Sequence, residues 1–244
     1  VGHSVVVAGG KGGVGVSTAS ALLAFGAAAS GRNTLLVDAT PSGRQQRDLL
    51  SMPEQPDVAP RSSPAFRRVT VRLTLAETPD AAALTPTERR SLLRRVSTQY
   101  DDYDFVVIDA GCTAELVSSA LSTGSGRLLA VSANDRLSIV ATYALVKYML
   151  ERFAELPTSV LINRCDPAMG SSAFARIAEG VTDFLGCSIA PAGTLPDDES
   201  IRAAAEAGAS LFTADGPAVL AAKLLAELLL ARPARPGRAT VQIL

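Results

Sequence analysis

A doubly wound, mainly parallel α/β sheet flanked by helices is the fold class this sequence predicts, and three observations predict it. Apolar runs recur as Val5-Val6-Val7-Ala8, Thr34-Leu35-Leu36-Val37-Asp38 and Phe105-Val106-Val107-Ile108-Asp109, without the alternation of a half-exposed strand. Helix-forming stretches lie between such runs, and about 30 residues separate the first from the second, as in a βαβ unit. Finally, a glycine-rich stretch from Gly9 to Thr18 joins the first run to a helix start at Thr18-Ala19-Ser20-Ala21-Leu22.

Composition agrees with one large domain. The chain has 244 residues, 48% hydrophobic and 19% charged, enough apolar content for a sizeable core. Net charge is −1, from 23 Lys and Arg against 24 Asp and Glu, so no global field draws the chain to nucleic acid, and no specific nucleic-acid partner is expected. Cys112, Cys165 and Cys187 are widely spaced without a C-x-x-C pair, which suits a reducing compartment. No apolar run reaches the roughly 18 residues of a membrane span, and no signal peptide leads the chain. A cytoplasmic protein is expected, with peripheral association at the membrane as the less favoured alternative, a single domain over 1–231 and a flexible tail over 232–244 containing Arg and Pro.

Taken in order, the first helix spans about 17–30, and Gly31-Arg32-Asn33 turn into the strand ending at Asp38. Residues 43–51 allow a short helix, and four prolines mark 52–66 as a loop. Alternation of Val69, Val71, Leu73 and Leu75 with polar residues predicts a half-exposed strand near a sheet edge. Thr85-Pro86-Thr87-Glu88 starts a helix running to about Gln99, with Thr85 as cap. After the strand 105–109 come a short helix near 114–122, a strand from Arg127 to Ser132, and a helix from Leu137 to Phe153. The apolar positions 139, 140, 143, 146, 149, 150 and 153 of that helix read as its core stripe. A strand over 160–163, a helix near 171–185, a weak strand over 188–192 and helices near 198–208 and 216–231 complete the chain.

The chemistry gathers at three strand ends: the glycine loop, Asp38 and Asp109. In parallel α/β sheets ligands sit beyond the C-terminal strand ends, so the three should converge. Glycines let successive backbone N–H groups curl inward around phosphate, and a helix N-terminus adds its positive dipole end. From Gly10 the loop matches the phosphate-binding pattern G-x-x-x-x-G-K-[ST], except that Val16 stands where lysine is required. Ser17 supplies a hydroxyl of the kind that ligates Mg²⁺, and a carboxylate at an apolar strand end suits the same ion through water.

Lys11-Gly12-Gly13-Val14-Gly15-Val16-Ser17-Thr18 resembles the deviant phosphate loop of the MinD/ParA family of ATPases, K-G-G-x-x-K-[ST]. The similarity covers nearly the whole chain. Asp38 sits at the first acid of that family's D-x-D, and Phe105 to Gly111 resembles its second acidic strand and switch loop. Ser138 to Lys147 resembles the corresponding helix of the flagellar-number (FlhG/FleN) branch. Asn163-Arg164 resembles the adenine-reading segment, and Leu195 to Ile201 the late loop and helix. The resemblance implies ATP and Mg²⁺ as cofactors, a nucleotide-dependent homodimer, and a protein partner it does not identify. It also implies roles for single residues. Lys11 would be the signature lysine reaching across the dimer to the partner's phosphates. Gly10, Gly12, Gly13, Val14 and Gly15 would form the cradle. Ser17 would bind Mg²⁺ and Thr18 the α-phosphate. Asp109 would hold the metal through water, with Asp38 beside the same shell. Asn163 and Arg164 would meet adenine, with Pro196 and Asp197 flanking the base.

Two departures from the family pattern point the same way. Val16 removes the ammonium that bridges β- and γ-phosphates, and sets apolar surface where a polyanion should lie. Thr40 replaces the second acid of D-x-D, and a hydroxyl is a poor proton acceptor at pH 7. Three functions stay open on this reading: a nucleotide-sensing switch or pseudo-ATPase, a working ATPase, and a nucleotide-free scaffold. Other conspicuous residues read more plainly. Cys112 is expected to be a small buried or half-buried residue, His3 to be exposed rather than catalytic, and the arginines at 89, 90, 94 and 95 to form a solvated face. The apolar segment 219–230 reads as a packed closing helix rather than a membrane anchor, because two prolines and a glycine interrupt the tail after it.

Overall fold

The computed structural model describes residues 3–53, 63–78, 84–124, 126–153 and 155–231. Eight strands form one sheet in the order β3-β4-β2-β5-β1-β6-β7-β8. They are β1 (His3–Gly9), β2 (Thr34–Asp38), β3 (Ala65–Arg68), β4 (Leu73–Glu77), β5 (Phe105–Asp109), β6 (Leu128–Ala133), β7 (Thr158–Asn163) and β8 (Ala190–Leu195). All neighbours are parallel except β3 and β4. From β1 the chain builds outward first toward β2 and β4, then reverses toward β6, β7 and β8. That reversal leaves a crevice at the C-terminal end of β1, where open α/β sheets bind ligands.

Eight helices cover the sheet: α1 (Val16–Ala29), α2 (Gln45–Leu49), α3 (Pro86–Ser97), α4 (Ala114–Leu121), α5 (Arg136–Arg152), α6 (Pro167–Leu185), α7 (Glu199–Glu206) and α8 (Pro217–Ala231). Successive β1 residues feed opposite layers. Val5 and Val7 join a core beneath α1 and α8, whereas Val6 and Ala8 join one beneath α3, α4 and α5. A third cluster fills the space between α5, α6 and the β6–β7 end of the sheet. Helices α1 and α8 approach closely enough that a Cβ on Gly26 would stand 2.7 Å from the Lys223 Cα.

Most predicted elements lie where expected, but the stretch 69–75 does not form one edge strand. Val69 and Thr70 donate back to the Leu73 carbonyl at 2.8 and 3.1 Å, so the segment turns, and Val71 is 88% exposed at its tip. The period-2 pattern belongs to a hairpin in which β3 is the edge and β4 pairs with β2. Helix α6 begins four residues early because Asp166 caps it, accepting from Ala168 and Met169, with Pro167 in its first turn. Thr85 caps α3 as expected, and the structure adds a reciprocal capping box with Glu88.

On α5, Val140, a member of the predicted core stripe, is 58% exposed, and Thr142 and Leu145 are buried although the stripe omits them. Leu220, Leu224 and Leu228 of α8 are exposed, so the apolar segment packs on one face only, with Ala222, Leu225, Ala226 and Leu229 turned inward. Cys112 is exposed rather than buried, since it comes directly after the left-handed turn at Gly111. His3 is half-buried rather than exposed, at the start of β1 and so at the opposite end of the sheet from the crevice. The tail 232–244 lies outside the described residues, and no described helix is long and apolar enough to cross a membrane.

Candidate functional site

The glycine loop crosses from the end of β1 to the start of α1, where Gly13 and Gly15 adopt the left-handed φ values of +81° and +91°. Gly15 is the residue immediately before the helix. The loop is pinned from three sides. Gly9 N–H donates to the Gly111 carbonyl at 2.9 Å. Asn163 Nδ2 donates to the Val14 carbonyl at 2.9 Å, and Arg164 Nη2 to the Gly13 carbonyl at 2.7 Å. At Gly10 a Cβ would run into the Ala141 backbone of α5, so this position admits only glycine. Around Gly12 and Gly13 there is open space. The backbone half of a phosphate cradle is therefore assembled and open.

Val16 departs from its sequence-based expectation. It does not line the cradle with apolar surface. Its side chain is 7% exposed and packs with Val14 over Gly9, inside the main core. The cradle thus lacks an ammonium at this place and is not blocked by the valine. Lys11 lies half-buried in the loop, where its charge helps to hold the Asp135 carboxyl below the usual range; the larger cause is donation from Ser138.

Asp38 and Asp109 end neighbouring strands and stand opposite each other in the register of β2 and β5. Both are fully buried. Asp38 Oδ1 accepts from the Thr40 hydroxyl at 2.6 Å and from the Thr40 N–H at 3.1 Å, and Oδ2 from the Gln46 N–H at 2.7 Å. Asp109 Oδ1 accepts from Gly111 N–H at 3.1 Å, and Oδ2 from Gln46 Nε2 at 2.8 Å. The second proton of the Gln46 amide goes to the Ser17 carbonyl at 3.0 Å. Burial pushes the Asp38 carboxyl up to about 6, the Asp109 charge adds to the rise, and the Gln46 and Thr40 donors oppose it. Asp109 is raised by burial too, against donation from Ser17, Gln46 and Gly111. The Thr40 hydroxyl, the one group at the second acid position, spends its proton on Asp38 and not on a water.

The residues brought together are the loop, Ser17, Thr18, Asp38, Thr40 and Asp109. Asn163 and Arg164 reach the site but hold the loop's carbonyls. Pro196 is half-buried, while Asp197 is exposed and pairs with Arg202 at 2.6 Å. Gln46 escapes sequence reasoning altogether, because nothing in a short polar segment after Pro41 marks one glutamine as the partner of Asp109. Among the described residues no group of three or more His, Cys, Asp or Glu side chains is placed to hold a metal ion. With the Gln46 amide bonded to Asp109, a Mg²⁺ ion does not fit at the acid pair in this conformation.

Strand, glycine loop, helix start and paired strand-end acids define a nucleotide-binding α/β domain of the phosphate-loop type. The chain belongs to the CobQ/CobB/MinD/ParA nucleotide-binding domain family, whose model matches residues 5–211. It is 29% identical over 223 residues to the antiactivator FleN of Pseudomonas aeruginosa, covering 86% of this chain and 79% of FleN. Among solved structures it resembles MinD in the MinC:MinD cell division complex of Aquifex aeolicus, with a TM-score of 0.70, 20% identity and coverage of 97% and 99% of the two chains. It also resembles the septum site-determining protein MinD complexed with Mg-ADP from Pyrococcus horikoshii OT3, with a TM-score of 0.69, 17% identity and coverage of 94% and 96%. At those identities the structural matches establish the fold.

Proposed function

We propose that this chain is a MinD/ParA-type nucleotide-responsive switch, or pseudo-ATPase, that regulates the positioning or assembly of a cellular structure by binding a protein partner, with ATP hydrolysis weak or absent. The observation that carries this reading is Val16, whose side chain lies in the core where the phosphate-loop pattern has a lysine at the cradle. Thr40 supports it, since its hydroxyl is committed to Asp38. Similarity to a protein named as an antiactivator supports the regulatory half.

In this reading the backbone N–H groups of residues 12–15 and Thr18 hold the phosphates of ATP. Asn163, Arg164, Pro196 and Asp197 face the base, and Lys11 acts across a homodimer. Peripheral contact with a membrane is not needed for the switch. Charge stabilisation at the cradle acts on the transition state, so the missing ammonium weakens turnover more than binding.

The test is calorimetric titration with Mg–ATP and with Mg–ADP, paired with a phosphate-release assay. Binding in the micromolar range with little phosphate release supports the reading. No binding up to millimolar nucleotide would instead make the chain a scaffold, and ordinary family turnover would make it an active ATPase. Val16→Lys should tighten ATP by roughly 10- to 150-fold, the effect of one charge-assisted contact. No gain would show that this residue does not limit binding.

A further inference from the structure

We infer that Gln46 is a displaceable plug in the cation position: its amide serves the acid pair in place of a divalent metal ion, and the pair takes up metal only when this side chain leaves. The inference rests on reading the site as a nucleotide-family site. It concerns a residue to which neither the family resemblance nor the sequence gives a role.

Two buried carboxylates on adjacent strand ends need either a cation or a set of donors. Here donors do the work, and Gln46 supplies those that tie the pair together. Its backbone N–H holds Asp38, one amide proton holds Asp109, and the other holds the Ser17 carbonyl. Gln46 itself is 0% exposed. Its Oε1, however, is buried without a hydrogen-bond partner. Turning the amide over would aim that oxygen at Asp109, so the orientation is set by the carboxylate and the orphan acceptor is its consequence. A neutral amide therefore satisfies the acids at the cost of one unpaired oxygen, which leaving the site would return to water.

The helix that carries the plug is short and held at a few defined points. Only Gln46 and Arg47 of α2 are buried. Arg47 holds Glu77 at 2.5 Å, and beyond α2 the Ser51 hydroxyl donates to the Gly208 carbonyl at 2.8 Å. On its other side Gln45, Asp48 and Leu49 border a cleft of about 260 Å³ shared with Thr18 and Ile201, so the ties that withdrawal of α2 must release are the Arg47–Glu77 pair and the Gln46 bonds, with Leu50, buried in the main core, as the pivot. Withdrawal of α2 would carry Gln46 away from Asp109 and its backbone N–H away from Asp38 in one step. The acid pair would then be exposed to metal as a unit.

The experiment uses Mn²⁺ alone, without nucleotide, monitored by electron paramagnetic resonance and by thermal melting. Gln46→Ala should bind Mn²⁺ about tenfold or more tightly than the parent, and adding Asp109→Asn should abolish the gain. Gln46→Glu, which keeps the shape but exchanges the donor for a third carboxylate, should be rescued by Mn²⁺ with a melting shift of several degrees that the parent lacks. The inference is overturned if the parent binds Mn²⁺ at an Asp109-dependent site as tightly as Gln46→Ala does, or if neither variant gains. Should both variants fold poorly, the parent still decides. Its Gln46 side-chain amide protons should exchange slowly and stay sharp when Mn²⁺ is added, and selective broadening would overturn the inference. Failure of Mg–ATP to bind by calorimetry, with the Mn²⁺ gain present, would remove the nucleotide reading and leave the plug standing.

Discussion

The two halves of the site have kept different things. Around Gly12 and Gly13 the loop is open, its backbone pinned by Gly111, Asn163 and Arg164, and Val16 stands where the phosphate-loop pattern has lysine. Around Asp38 and Asp109, by contrast, every acid oxygen already has a donor and the space between the acids is closed. The first half is made of backbone, whose shape is set by glycine spacing and by packing against α5. The second is made of side chains, which single substitutions can redirect. A fold can therefore present an open glycine loop next to an acid pair that has turned inward.

The sharpest way to break this contrast is at Gly10. A Gly10→Val change would force a side chain into the Ala141 backbone, and overpacking of that kind costs about 3 kcal/mol or more when the obstacle is main chain. Denaturant unfolding should show a large drop in midpoint. A loss below about 1 kcal/mol would mean that the loop and α5 are not rigidly apposed.

The second lever is pH. Asp38 has a folded value of about 6, above its ordinary value of 3.8, so the folded state holds the proton more tightly than the unfolded chain. Stability should accordingly rise as pH falls through the folded value of about 6 toward the unfolded value of 3.8, where the contribution is complete, and be lost as pH climbs back through about 6. The full difference is at most about 3 kcal/mol, and Asp109 shifts in the same direction. Melting temperature against pH checks this, and Asp38→Asn should flatten the slope whatever that variant's own stability. A third and smaller effect is expected from Thr40→Val. Removing the hydroxyl leaves one oxygen of Asp38 with a single backbone donor, which costs about 1–2 kcal/mol by chemical denaturation.

Much of this architecture is legible in the residues. Strands β2 and β5 are clear because burial on both faces leaves an unbroken apolar run, and their terminal acids mark the crevice. The β3–β4 hairpin is easily misread because alternation fits a turn flanked by strands as well as it fits one strand, and only the Val69–Leu73 hydrogen bonds separate the two. The start of α6 is written in Asp166-Pro167, a cap and first-turn proline that the apolar pattern alone passes over. Val16 shows that a lysine is missing, but its burial over Gly9 depends on how α1 leaves the loop. Gln46 is invisible for a related reason. Its meaning lies in contacts 29 and 63 residues away in the chain, and local pattern carries none of that.

The register of β2 and β5 has a consequence for descent. Neighbouring parallel strands lie about 4.8 Å apart, so two acids that end them keep each other's company in every generation of the fold. Valine in place of the loop lysine is accommodated by the fold, because it packs with Val14 over Gly9 inside the core. A lineage cannot part with the metal so freely, since the stranded carboxylates would be left facing one another. We hypothesise that the donor has to arrive first, or together with the loss. Metal-free relatives that keep both acids should then carry an amide or hydroxyl where Gln46 stands, and one with an aliphatic residue there would refute the rule. On this view the sheet fixes what must accompany the acids: a hydrogen-bond donor wherever the ion is absent.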